Sequence, residues 1–346
     1  MTELWTALAA ALVLAAAVGL DLYLVLFVVA LAPLGGWTVP VGLEGLSTPL
    51  VATLAGSLLL MEFVAERSAA VAAFWHLVQS FARPVAAGLL AFMVIESISG
   101  PAALQWVVPI TAAAVAFLVH AAKVGWFLLG WLSSGAHARP LLVSLGEDSV
   151  ALGLASLAFD APRVGAGLVL TAVLLLVTVG RALLRAGGFS HYLAWSRSWG
   201  SLLPFRWRGE EELPRDLAAE VAAIPRPLGH RLKIARAAGM RLRVGGLFRP
   251  GWIVVGPADP RWVCRSLAGP RMHVLDADES MEVRVEPLFA QISMVGSTSY
   301  SLIFPRSGPT VDAVTSEFGI SLQAPRSRED PPNAAENPRN PVENGV

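Results

Sequence analysis

Six ionisable residues stand where a chain this apolar has few charges. His120 and Lys123 interrupt the run WVVPITAAAVAFLVHAAKVGWFLLGWL between Trp106 and Leu132, and Asp21 interrupts GLDLYLVL. A lysine at the centre of a membrane helix costs roughly 2.5–3.5 kcal/mol on insertion scales. Such a group is normally paired or faces protein or water, and it marks an ion or proton pathway by default. His120 and Lys123 are three residues apart and share a helix face. Asp21 is the best candidate counter-ion for Lys123, so Asp21, His120 and Lys123 form a candidate midplane site. The alternatives are a structural ion pair between helices and a lysine snorkelling to water.

A second set is acidic. Glu62 lies near the end of LLLMEFVAER, and Glu147 and Asp148 lie in LLVSLGEDSV. Together they make a candidate vestibule that binds a cation or relays protons, although a position wetted by lipid headgroups explains them as well. Adjacent helical residues point about 100° apart, so only one of Glu147 and Asp148 is expected to face the centre fully. Glu66 and Arg67 read as a solvated pair at a helix end. His76 and Arg83 read as parts of an amphipathic surface segment, and no second His or Cys gives His76 a metal-ligand spacing. No metal or other cofactor is expected. No nucleotide-binding or hydrolase motif occurs, so an enzyme is not expected.

The elements that must carry these residues are membrane helices. The chain is 55% hydrophobic with a mean hydropathy of +0.59, too apolar for an ordinary soluble protein. Apolar runs near 4–32, 49–66, 83–98, 104–132, 141–158 and 164–185 read as six transmembrane helices, since a span takes about 20 residues. The first lacks a basic leader and reads as a retained helix. Segment 68–81 is amphipathic and reads as interfacial or re-entrant, which leaves a five-helix arrangement open. Arginines fall mainly on one side: Arg67, Arg83, Arg139, and Arg181 onward. Arg163 beside Asp160 is alone on the other. This bias places both termini in the cytoplasm of a cell-membrane protein.

FARPVAAGLLAF (81–92) resembles FDAPRVGAGLVL (159–170), and Pro49-Leu-Val resembles Pro140-Leu-Leu. An inverted repeat of three plus three helices, as in secondary transporters, follows if the likeness is not coincidence of composition. The membrane domain then covers 1–186.

Residues 187–208 mix Trp, Tyr and Arg and read as a membrane-surface connector suited to anionic headgroups. The neutral net charge and the adjacent helices argue against nucleic acid. Residues 209–320 read as a small cytoplasmic domain. Helices are expected after Pro214 and over 227–238, then strands at 240–246, 251–256, 261–267, 271–277, 281–288, 290–296 and 299–304, then a helix over 310–319. That order suggests a pleckstrin-homology-like barrel. Residues 321–346, rich in Pro and Asn, are expected to be disordered. Cys264, alone of its kind, reads as a half-buried strand residue.

Several of these motifs in order resemble a bacterial multi-pass membrane family known as a domain of unknown function, family 4126. They are Gly19-Leu20-Asp21-Leu22-Tyr23-Leu24, Glu62-Phe63-Val64-Ala65-Glu66-Arg67, Arg83-Pro84, His120-Ala121-Ala122-Lys123 and Ser144-Leu145-Gly146-Glu147-Asp148. The likeness covers about 10–185. Glu66-Arg67 replaces the family's usual acidic-Lys pair, Ser68 to Ala73 lack its Pro and Asp, and Asp21 stands where Asn or Arg is commoner. The resemblance implies a membrane fold and no particular activity. Two functions remain open: a small ion or solute transporter, or a non-transporting anchor whose cytoplasmic domain binds lipid headgroups or a protein.

Overall fold

The computed structural model describes residues 2–98, 100–134, 139–200, 207, 209–224, 232–241, 248–256, 261–266, 269–275, 280–285, 289–295, 300–305, 308, 313, 314 and 316. Its first part is helical: α1 Thr2–Leu20, α2 Leu22–Leu31, α3 Pro49–Ala65, α4 Ala69–Glu96, α5 Leu104–Ser134, α6 Arg139–Asp160, α7 Pro162–Thr178 and α8 Arg181–Gly200. Local chemistry sets several starts. The Thr48 hydroxyl accepts the Val51 N–H ahead of Pro49, a cap followed by a proline at the first helical position. Among the described residues, three helices are long and apolar enough to cross a membrane: Thr2–Leu20, Val71–Glu96 and Leu104–Gly130. A fourth qualifies if Pro162–Thr178 and Arg181–Ser196, bent by 77°, form one span.

The first expected span is not one helix. It breaks at Asp21, whose backbone is extended (φ −149°, ψ 105°) and whose carboxylate accepts the Leu24 N–H at 2.9 Å. The outer ends of both pieces reach the junction of α6 and α7. The Thr2 carbonyl accepts a hydrogen bond from Arg163 at 3.2 Å, and Trp37, beyond α2, packs on Phe159 with ring centroids 5.9 Å apart. A straight helix over 4–32 would hold its ends roughly 43 Å apart at 1.5 Å per residue. α1 and α2 therefore form a hairpin whose tip is Asp21. A continuous apolar run conceals this, because one capping carboxylate is enough to redirect the chain.

The amphipathic segment 68–81 and the expected third helix are one element, α4, with Pro84 inside it. Pro162 does open α7, so the two copies of the repeat use their prolines differently. In α4 the polar face is the buried one. His76, Gln79, Ser80 and Arg83 are buried while Phe74, Val78, Phe81, Val85 and Leu89 are exposed. The amphipathicity is real, and its polar side faces protein where an interfacial helix would face water. Large apolar residues are also exposed on α3, including Leu50, Leu54 and Leu60, and on α7, including Leu168, Leu174 and Leu175. So much exposed apolar surface around buried charge fits an apolar surrounding.

The expected sixth span ends early, and after the bend α8 continues through the first part of the expected connector. It lies against α5 backbone to backbone. A Cβ added at Gly125 would overlap the Leu183 carbonyl, and one at Gly187 the Ala121 carbonyl. Small residues allow this approach.

The second part is a seven-stranded antiparallel sheet of β1 Lys233–Arg241, β2 Arg249–Val255, β3 Arg261–Ser266, β4 Gly269–Val274, β5 Ser280–Val285, β6 Phe289–Val295 and β7 Tyr300–Pro305. The order is β4-β3-β2-β1-β7-β6-β5, with Ala237 opposite Gly251 and Ala238 opposite Ile303. Residues 233–238 were expected to be helical and are instead the central strand. Their alanines favour a helix locally, but pairing on both sides and the space needed by Trp262, which a Cβ at Gly239 would meet, decide for a strand. Before the sheet, the expected helix after Pro214 is α9, Arg215–Ala222. Its Leu217 and Val221 pack with Ile234, Val254 and Val263. Of the expected last helix only Ala313, Val314 and Ser316 lie among the described residues, and all three are helical. Val314 packs into the sheet's core beside the buried Cys264. The expected disordered tail lies outside the described residues.

The sheet rests on the helices. Phe248, Phe289 and Ile303 share a core with Leu128, Phe189 and Leu193. The Phe189 and Phe248 rings are 5.6 Å apart, and the Arg236 guanidinium lies 4.3 Å over the Tyr192 ring.

Candidate functional site

The break at Asp21 creates the site. Because the Leu24 N–H bonds the Asp21 side chain, it no longer serves the Leu20 carbonyl as the fourth residue of a helix would. Leu20 and its neighbour Gly19 end α1 with carbonyls aimed inward. The Arg83 guanidinium donates to Gly19 at 2.9 Å and to Leu20, and Lys123 donates to Leu20 at 3.2 Å. Two cations thus meet the negative end of one helix, while Asp21 sits at the positive start of the next. Both placements are the favourable ones for a helix dipole. Gly19 is required for this approach, since a Cβ there would lie 2.7 Å from the Ala116 carbonyl of α5.

Carboxylates from α3 and α6 complete the cluster. Arg83 is fully buried, donates to Gln79 at 3.0 Å and pairs with Glu62 at 2.5 Å. The Lys123 ammonium lies 3.5 Å from Glu62, 3.3 Å from Glu66 and 3.2 Å from Glu147. Ser144 donates to Glu66 at 2.9 Å. Asp148 reaches the Asp21 carboxyl within hydrogen-bonding distance. Asp21, Glu62, Glu66, Lys123, Ser144 and Asp148, with Leu59, Leu60 and Phe63, wall a cavity of about 250 Å³. One oxygen of Glu62, Oε2, is buried without a hydrogen-bond partner.

The six expected residues are therefore regrouped. Asp21 and Lys123 line the same cavity as Glu62 and Asp148, and Glu147 joins them through Lys123, so midplane set and vestibule are one cluster. Asp21 is not the ion-pair partner expected for Lys123. Its carboxylate is committed to capping α2 and meets Asp148, and three glutamates take the lysine. Glu147 and Asp148 both contribute, one to Lys123 and one to Asp21, because cluster members surround α6 on two sides. His120 turns away from the cavity.

Two residues read as peripheral are central. Glu66 is buried and bonds Ser144 and Lys123, although its neighbour Arg67 is exposed and lies over the Phe63 ring. Arg83, counted above among the loop arginines, holds the cluster together. The available signal was spacing: Glu62 and Glu66 are four apart, and His76, Gln79 and Arg83 recur at three and four, each on one helix face.

A second buried polar group adjoins the first. His120 donates from Nε2 to the His76 carbonyl at 3.0 Å, and Ser80 donates to the same carbonyl at 2.7 Å. Ser80 also lies 2.5 Å from Nε2 of His191 on α8. Since the serine proton is already used, His191 is the donor there. The His76 ring is 5.8 Å from that of His120 and 5.2 Å from Phe127, and the His120 ring is 6.2 Å from that of His191. Both ring nitrogens of His76 and Nδ1 of His120 are buried without a partner. His76 is thus an interior histidine, not an interfacial one. Among the described residues no three His, Cys, Asp or Glu side chains are placed to hold a metal ion.

No curated protein and no solved structure matches the chain. A family model, the domain of unknown function DUF4126, matches residues 8–182. That stretch holds Asp21, Glu62, Glu66, Arg83, Lys123, Ser144, Glu147 and Asp148 and stops short of the sheet. The chain belongs to the DUF4126 family, and the buried charge cluster lies wholly within its family domain.

Proposed function

We propose that the chain is a multi-pass membrane protein that moves a small ion or solute through the charged cavity at the α1–α2 break. The observation that carries this reading is the break itself: an interrupted helix lays its last carbonyls against Lys123 and Arg83 at the wall of a cavity. Irregular backbone at membrane depth is tolerated where it lines such a cavity, and broken helices are the usual site of secondary transport.

The hairpin also supports a revised topology. Two passes by α1 and α2 return Thr2 and Trp37 to one end. The five crossings of α3 to α7 bring the passes to seven in place of six. With the arginine-rich end in the cytoplasm, Thr2 lies outside and the sheet inside. The sheet, with Val314 packed in its core, supports the pleckstrin-homology-like reading of that domain, and the arginines and tryptophans before it suit anionic lipid.

The test is flux. Purified protein in vesicles is screened for movement of protons, monovalent cations and small solutes, with Lys123→Met as the comparison. A permeability present in wild type and lost in a folded variant is expected. Equal flux in both removes the proposal, and no flux in either favours the anchor.

A further inference from the structure

We propose that Asp21 and Asp148 are a proton-sharing carboxyl pair, and that this proton is the ion the cavity binds and releases. The proposal rests on the reading above of a polar site inside a membrane bundle and names its ion.

Three observations carry it. First, the two carboxyls lie within hydrogen-bonding distance of each other on the wall of one cavity. Two carboxylates so placed do not both ionise cheaply, and they titrate as one unit that holds a proton between them. Second, the cations are already committed. The groups facing the pair are Glu62 on α3, Glu66 at its C-cap, Arg83 on α4, Lys123 on α5, and Ser144 and Glu147 on α6. Arg83 is paired with Glu62, and Lys123 with Glu62, Glu66 and Glu147. Five carboxyl groups therefore meet two fixed cations, and the excess negative charge sits in a largely buried cluster, where burial makes it costly. A proton offsets part of it without a metal site, and no metal-holding set is found among the described residues. Third, Glu62 is only 3% exposed and its Oε2 has no partner. It gives a proton leaving the pair an acceptor on the same wall.

The step is a proton transfer alone. An O–H bond on one aspartate breaks as one forms on Glu62 or on water, and no electrons change hands. It is linked to the fold, because the Asp21 oxygen that caps α2 accepts the Leu24 N–H best as a carboxylate. Taking up the proton at Asp21 loosens the cap, and releasing it tightens the break.

Infrared difference spectroscopy on the full chain in vesicles tests this. One protonated-carboxyl stretch is expected at neutral pH, shifted in heavy water and lost in both Asp21→Asn and Asp148→Asn. Asparagine caps helices as well as aspartate does, so the first variant keeps the break. No such band, or one that survives both substitutions, overturns the pair. Proton flux is measured on the same vesicles. A band without flux upholds the pair and removes the transport reading. Flux without a band does the reverse.

Discussion

Arg83→Gln is the most informative single change to the cluster. The arginine is fully buried and donates to Gln79, to the Gly19 and Leu20 carbonyls and to Glu62. Glutamine removes the charge and reaches none of the α1 carbonyls with the same fork. Taking one partner from a buried ion pair costs about 3–5 kcal/mol, mainly through the charge left behind. Hydrogen bonds inside membrane bundles average about 0.6 kcal/mol each, so the two carbonyls add about 1 kcal/mol. Glu62→Gln should cost a similar amount, about 3–5 kcal/mol, because it strands the buried Arg83 guanidinium without its carboxylate, although Lys123 keeps Glu66 and Glu147. The double variant should be less destabilised than the two singles predict together, by about 1–3 kcal/mol. Reversible unfolding in mixed detergent micelles, followed by circular dichroism, gives all three values. A cost below about 1 kcal/mol for Arg83→Gln would refute the account of the cluster, as would additivity in the double variant.

Three further outcomes are expected. Gly187→Val should cripple assembly, because the added carbons meet the Ala121 carbonyl and backbone cannot yield as a flexible side chain does; a melting temperature equal to wild type would contradict the α5–α8 contact. Cysteines placed at Thr2 and at Trp37 should label from the same face of sealed vesicles and one at Arg67 from the other, and labelling of Thr2 and Trp37 from opposite faces would remove the hairpin topology. Asp216, outside the membrane helices, is held below the usual carboxylate range by the Arg265 guanidinium at 2.6 and 2.7 Å. Its contribution is complete above that range and lost as the pH falls through the lowered value. Because the pair is exposed, the effect is small. Asp216→Asn should slightly flatten the acid limb of the stability profile, and superimposable profiles would count against it.

The helical part was legible because length and hydropathy are one-dimensional signals. Six runs were found close to where helices lie, as were the charges that interrupt them. What was missed depends on what those charges face. Asp21 looked like a lone charge within a helix, and only its hydrogen bond to Leu24 reveals an end and a beginning there. In α4 the pattern was seen and its polar side assigned to water, since periodicity gives a face without saying what covers it. Arg83 beside Pro84 resembled a loop, yet the helix runs through both. In the sheet, alanines at 235, 237 and 238 suit a helix by propensity, and only strands far along the chain make them a strand. Glu66 was judged by its neighbour Arg67, although a helix turns the two in different directions.

The buried polar face of α4 also sets how that helix can change over evolutionary time. Phe74, Val78, Phe81, Val85 and Leu89 are exposed; if lipid is what they meet, they need only be oily, and liquid tails fit one shape about as well as another. Drift among leucine, valine and phenylalanine there is close to neutral. Arg83 touches particular atoms on other helices, His76 faces the His120 ring, and Gln79 accepts from Arg83 itself. One altered member leaves its partners stranded. Inherited constraint on α4 is thus concentrated in a stripe one side chain wide, and two descendants can differ over most of the helix while keeping the same interior.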